Sequence, residues 1–172
     1  MSGSPFANDI TPDWEDLVQC VARQGTPSRV HNLELFLDPE IKQAICDRFD
    51  LTAGLKQDDP SFTLQREIAI QRFLGYDYVL CGLTGIDMPM NWHMVEDTAE
   101  NKRSIGRFFI DEHAGPITTW EEFEAYPWPD PQAARSTAMQ WYEDNLPDDM
   151  CVLGGLTGHF AENLSWLTGY ET

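Results

Sequence analysis

A chain of 172 residues with 42% hydrophobic and 12% aromatic content can bury a core, which excludes a disordered polymer. Eleven Lys and Arg against 29 Asp and Glu give a formal charge of −18, which repels phosphate backbones and anionic lipid and so excludes nucleic acid and membrane surfaces as partners. No apolar run approaches the roughly 20 residues of a bilayer span, nothing at the N-terminus resembles a signal peptide, and Cys20, Cys46, Cys81 and Cys151 are scattered without a CxxC pair. Reduced thiols and a cytoplasmic location are therefore expected.

Met1 to Ile10 reads as a loose lead-in to a single domain spanning the chain. Thr11-Pro12-Asp13 supplies an N-cap, a proline at N1 and an acid in the first turn. Trp14, Leu17, Val18 and Val21 then follow at helical spacing, ending near Gly25. Arg29 to Leu37 alternates as a strand should, with Leu33, Leu35 and Leu37 on one face and Glu34 and Phe36 on the other. Asp38-Pro39-Glu40 starts a helix whose apolar face is Ile41, Ala44, Ile45 and Phe49, and Asp58-Asp59-Pro60 caps another running to Leu74, with Gly75 placed to stop it. Tyr76 to Leu83 is the next strand.

Thr84 to Pro116 reads as a hairpin-like excursion, with apolar pieces at His93–Val95 and Arg107–Ile110 flanking the polar run Glu96–Ser104. Thr119 opens a short capped helix that the prolines after Tyr126 end. Asp130-Pro131 caps the next, with Ala134, Ala138, Trp141 and Tyr142 as its buried stripe. A strand from Met150 and a helix with Phe160, Leu164 and Leu167 inward complete the chain. This order predicts an α/β fold with a parallel sheet covered by helices. The second and third strands end in twin sequences: Val79-Leu-Cys-Gly-Leu-Thr-Gly85 and Val152-Leu-Gly-Gly-Leu-Thr-Gly158 differ only at Cys81 against Gly154. Such glycine turns let backbone approach a ligand and present free N–H groups, or serve as plain tight turns; they match neither a phosphate loop nor a dinucleotide fingerprint.

Leu35-Phe-Leu-Asp-Pro-Glu-Ile41, Leu74-Gly-Tyr-Asp-Tyr78, the run Gly115 to Pro131 and Gly154 to Glu171, taken in this order, resemble the uroporphyrinogen decarboxylase superfamily, which includes corrinoid and coenzyme M methyltransferases. The resemblance implies a (β/α)8 barrel of TIM type, present here only in its N-terminal part as about three βα units plus a hairpin-like insertion. Members of the family are roughly twice this long, so a partial chain is expected, and partners that supply further strands, or a homo-oligomer, are expected with it.

Barrel active sites lie at the C-terminal strand ends, which the resemblance translates into catalytic candidates Glu34, Asp87 and His159 and substrate-binding candidates Asn91, His93, Gly155, Thr157 and Gly158. Decarboxylases of the family carry Arg-Gln-Ala-Gly-Arg after the first strand and Phe-Ser-Asp after the second. Glu34-Leu-Phe-Leu37 and Cys81-Gly-Leu-Thr84 stand here instead. An acid where a polycarboxylate tetrapyrrole needs arginines disfavours that reaction and puts the methyl-transfer branch first. Asp87 then stands in for the family's pyrrole-binding aspartate only by a shift along the loop.

In the methyl-transfer branch a zinc-bound thiol does the chemistry and a small molecule or corrinoid is the substrate. No metal or cofactor is expected on this segment alone, zinc and corrinoid belonging to a full-length protein. The scattered cysteines and His31, His93 and His113 show no ligand spacing, and His159 with Glu162 gives two ligands at most or a helix-end hydrogen bond. Glu34 reads either as a substrate-orienting carboxylate or as the partner of a nearby arginine. Asn91, Trp92 and His93 read as cavity wall or polar loop, and Tyr126 with Trp128 as packing between prolines or a ligand platform. A non-catalytic assembly subunit is the alternative from outside enzymology.

Overall fold

The computed structural model describes residues 10–34, 37–98, 106–155 and 159–170. It is mixed α/β: helices α1 (Trp14–Val21), α2 (Pro39–Phe49), α3 (Phe62–Leu74), α4 (Trp120–Ala125), α5 (Thr137–Asn145) and α6 (Phe160–Thr168) accompany strands β1 (Tyr78–Gly82), β2 (Trp92–Val95), β3 (Arg107–Ile110) and β4 (Cys151–Gly155). The strands form two small sheets, β1 with β4 and β2 with β3, and no closed barrel is present among the described residues. The chain divides into two compact units, Met1–Cys81 with Thr137–Gly154, and Gly82–Ser136 with Gly155–Thr172.

In the first unit β1 and β4 run the same way. The Cys151 N–H donates to the Asp77 carbonyl at 2.9 Å, and further along Gly154 lies against the backbone of Cys81, so residue numbers rise together on both strands. A parallel pair cannot be closed by a tight turn and needs a long crossover. The core packs Val79, Tyr142 and Met150 against Leu64, Ile68, Trp141 and Val152, so α3 and α5 bury their apolar sides on the sheet. Gly75 stops α3 in the left-handed region at φ 78°, as its placement predicted. From the last turn of α3, Arg72 reaches Asp149 just before β4 with a two-pronged contact of 2.5 and 2.9 Å.

Asp77, which precedes β1, is fully buried. A buried carboxylate is costly unless several donors meet it, and they do. Its Oδ1 accepts from the Asp13 N–H at 2.7 Å and from Arg29 Nη2, while Oδ2 faces His31 Nδ1 at 2.7 Å. The other ring nitrogen of His31 faces Asp16 Oδ2 at 3.2 Å, and Ser28 donates its N–H and hydroxyl to that same oxygen at 2.8 and 2.6 Å. The Ser28 hydroxyl and amide hold the Asp16 carboxyl below the usual range, with His31 adding to them.

These bonds explain two departures from the predicted elements. Arg29–Glu34 forms no strand: Arg29 and His31 turn to Asp77, the Glu34 N–H donates to the Tyr78 hydroxyl at 2.7 Å, and Leu33 is exposed. Leu35 and Phe36 lie outside the described residues. The first helix is capped by Asp13, not Thr11, because the Asp13 carboxylate accepts from the Asp16 N–H at 3.0 Å while its own N–H serves Asp77. Of that helix's apolar stripe only Leu17 is buried.

In the second unit β2 and β3 pair antiparallel with Trp92 opposite Ile110 and Val95 opposite Arg107, the hairpin predicted from the two apolar pieces. Thr119 and Glu122 make the reciprocal capping box of α4: Thr119 Oγ1 accepts from the Glu122 N–H at 3.2 Å and Glu122 Oε2 accepts from the Thr119 N–H at 3.1 Å. A small core joins Ile117, Tyr126 and Leu167 with Met88 and Met90. Leu167 is therefore inward as expected, but Phe160 and Leu164 of α6 are exposed, since only the C-terminal end of α6 meets the Glu112–Gly115 segment.

Two outcomes follow for stability. Asp77→Ala leaves Arg29 and His31 without their buried partner and is expected to cost about 3–5 kcal/mol, read as a lowered urea midpoint. Arg72 holds the Asp149 carboxyl below the usual range, so the pair stabilises above the ordinary Asp titration and that gain is lost as pH falls through the depressed folded value. Both side chains are about one-third exposed, which limits Arg72→Met to a loss of about 1 kcal/mol at pH 7, and the difference from the unsubstituted protein shrinks below pH 4.

Candidate functional site

A cleft of about 310 Å³ opens in the first unit between α2, α3 and the segment entering β1. Its apolar wall is Leu37, Leu64, Leu74 and Leu80, and its polar groups come from Glu34, Lys42, Glu67, Gln71, Tyr76 and Tyr142. Lys42 Nζ sits 2.8 Å from both oxygens of Glu67, and Gln71 donates to Glu67 Oε1 at 2.7 Å. The lysine's charge is thereby cancelled inside the cleft by its own neighbour. Glu34 is fixed by its backbone, which both donates to and accepts from the Tyr78 hydroxyl, at 2.7 and 3.2 Å. Its carboxylate makes no hydrogen bond or ion pair among the described residues, so the arginine partner considered for it is absent; Arg29 is spent on Asp77.

Tyr142 links this cleft to the core. Its ring packs with Val79 and Met150, only 2% of it is exposed, and its hydroxyl has no hydrogen-bond partner among the described residues. No side-chain oxygen of those residues is both sealed from solvent and unpartnered, so the small accessible area of Tyr142, which lines the cleft, includes its hydroxyl. Burial, then the charge of Glu67, pushes the Tyr142 phenol far up, and it stays a neutral O–H donor and acceptor. Burial also raises Tyr76, with Glu34 as the next cause.

The other predicted residues belong to the second unit. Asn91 and His93 converge on one loop: the Asn91 amide donates to the Ala114 carbonyl at 2.9 Å, and His93 Nε2 faces Asp111 Oδ2 at 3.5 Å while its ring stacks on Phe109. The His113 N–H, then that of Ala114, then the nearby His93 hold the Asp111 carboxyl low. Asp87 is exposed. His159 caps α6 without a side-chain cap bond and stands 3.5 Å from Glu162, largely exposed. The opposite end of α6, about 13 Å away along nine residues, is the one that meets the His93 loop. His159 and His93 are therefore not brought together by α6. Thr157 and Gly158 lie outside the described residues, and Gly155 closes β4. Tyr126 and Trp128 pack edge to face at 4.7 Å, and the Tyr126 hydroxyl donates to the Pro89 carbonyl at 2.6 Å, a packing arrangement.

The Asp77, His31 and Asp16 cluster has the residue types of an acid–base site but the wrong placement. Ligands in parallel α/β sheets bind beyond the carboxyl ends of strands, whereas Asp77 precedes β1 and its carbonyl pairs with the first residue of β4. Each carboxylate oxygen of Asp77 is also already met by a donor. Towards the opposite ends, the strand portions of the twin sequences pair side by side as far as Gly82 and Gly155. The one position at which they differ is where the strands touch, because a Cβ on Gly154 would lie 1.9 Å from the Cys81 carbonyl oxygen.

Zinc, implied by the methyl-transfer resemblance, needs at least three protein ligands. His31 is consumed by two aspartates, His159 has one carboxylate beside it, and among the described residues no group of three or more His, Cys, Asp and Glu can hold a metal ion. These residues do not fit zinc. The four cysteines are free; burial pushes the thiols of Cys81 and Cys151 up, away from the thiolate. No described helix is long and apolar enough to cross a membrane.

Comparison of the chain with family models, curated proteins and solved structures returns no match.

Gly154→Ala is expected to force β1 and β4 apart at Cys81 and cost about 2–3 kcal/mol. The thermal midpoint checks it, with Gly25→Ala, where an added Cβ meets nothing within 4 Å, as the silent control.

Proposed function

We propose that this chain is part of a uroporphyrinogen decarboxylase-like barrel of the methyl-transfer branch, and that its share is cavity wall and substrate positioning. The observation that carries this reading is the parallel pairing of β1 with β4, whose carboxyl ends at Gly82 and Gly155 lead into the same Gly-Leu-Thr-Gly sequence. Ligand cavities of α/β sheets are built at such ends. The acidic chain supports methyl transfer over decarboxylation, because a polycarboxylate tetrapyrrole demands convergent cations and Arg29 and Arg72 are already engaged with Asp77 and Asp149. The metal and the activated thiol are assigned outside the described residues, whose donors do not fit them.

A second reading rests on the sheet edges. Among the described residues β1 and β4 form a two-stranded sheet, so each strand leaves one ladder edge that no described strand fills and that an assembly partner would supply.

The protein expressed from its natural open reading frame is tested with methylcobalamin and a thiol, and separately with uroporphyrinogen. Thioether formation, with zinc retained through purification, is the expected result. Decarboxylation of uroporphyrinogen that Asp87→Ala abolishes would overturn the assignment. A stoichiometric second chain with no turnover of either substrate would establish the assembly reading in its place.

A further inference from the structure

Independently of the methyl-transfer reading, we propose that the cleft of the first unit is a binding site for a small organic ammonium ion with an apolar tail. Its volume, about 310 Å³, is at the small end of the roughly 300–1,000 Å³ of ligand sites and far too small for a tetrapyrrole or corrinoid. The charge balance of its lining selects the sign. Lys42 and Glu67 neutralise each other at 2.8 Å, which leaves the exposed Glu34 carboxylate as the charge of the lining without an ion-pair partner among the described residues. An incoming carboxylate would meet that charge and compete with Glu67 for the lysine. An ammonium would instead gain Glu34 as a counter-ion.

The polar groups suit a donor as well. The Tyr142 hydroxyl is held in place by a ring buried in the core and has no hydrogen-bond partner among the described residues, so it is pre-organised to accept one N–H of the ligand. Glu34 offers only acceptors. The four leucines give a methylene chain a place out of water, at the usual gain of roughly 0.8 kcal/mol per buried CH₂. No bond is made or broken; the site recognises charge, one hydrogen bond and shape.

Three probes of matched length decide it: n-hexylammonium, 1-hexanol and n-hexanoate, titrated into the intact protein and followed by calorimetry and by chemical shifts of the leucine methyls. The proposal expects hexylammonium to bind about tenfold more tightly than hexanol, the gain of one charge-assisted contact, with hexanoate weakest. Glu34→Gln should remove that tenfold preference and leave hexanol unchanged. Tyr142→Phe should weaken hexylammonium several-fold more than hexanol. The Glu34 carboxylate holds no other described group in place, so the thermal midpoint of Glu34→Gln stays at the parent value. Equal affinity for the three probes, preference for hexanoate, no binding at all, or a Glu34→Gln protein that keeps the preference would each overturn the proposal.

Discussion

The first unit depends on one buried carboxylate. Asp77 has no solvent contact, and the groups that compensate its carboxylate come from two other parts of the chain: the amide that opens α1, and the guanidinium and imidazole of the segment after it; its backbone carbonyl accepts from the first residue of β4. Removing any of these leaves a charge or a donor stranded in a medium where that is expensive. Helix, segment and the start of β1 are therefore coupled by satisfaction of a single charge, with β4 joined at the same residue by a backbone bond, in addition to the apolar burial of Val79, Tyr142 and Met150.

This coupling reaches the cleft. The residue after Asp77 is Tyr78, whose hydroxyl holds both the N–H and the carbonyl of Glu34. The backbone that presents the Glu34 carboxylate is thus fixed from the strand, while α2 and α3 supply the neutralised Lys42–Glu67 pair and α5 supplies Tyr142. Of the charged groups that line the cleft, Lys42 and Glu67 are consumed by one another, and Glu34 has no ion-pair partner among the described residues.

Local signals in the sequence locate the elements whose causes are local. Gly75 stops α3 because left-handed backbone suits glycine, Thr119 with Glu122 writes its capping box three residues apart, and the apolar pieces at His93–Val95 and Arg107–Ile110 pair as a hairpin. Alternation misleads at Arg29–Leu37, because a period of two shows only that a strand could form there. The described part of the segment instead spends its polar groups on Asp77 and Tyr78. Phe160 misleads in the same way: helical spacing puts it with Leu167, but it is exposed among the described residues. The cleft was legible only in Glu34. Lys42, Glu67 and Tyr142 come from three helices with no shared spacing, and Tyr142 reads as plain core, since its ring is core and only its hydroxyl is not. The importance of Asp77 has no local signature, because a lone aspartate before a strand looks like a turn residue.

The central claim is that the Asp77 carboxylate orders the segment that carries Glu34. Native-state hydrogen exchange of Asp77→Asn, with the parent protein as reference, tests it at the amides of Asp13, Glu34 and Cys151. Protection is expected to fall at all three together, while the Thr119–Glu122 capping amides of the second unit keep theirs. Unchanged protection at Glu34 alongside a loss at Asp13 would contradict it.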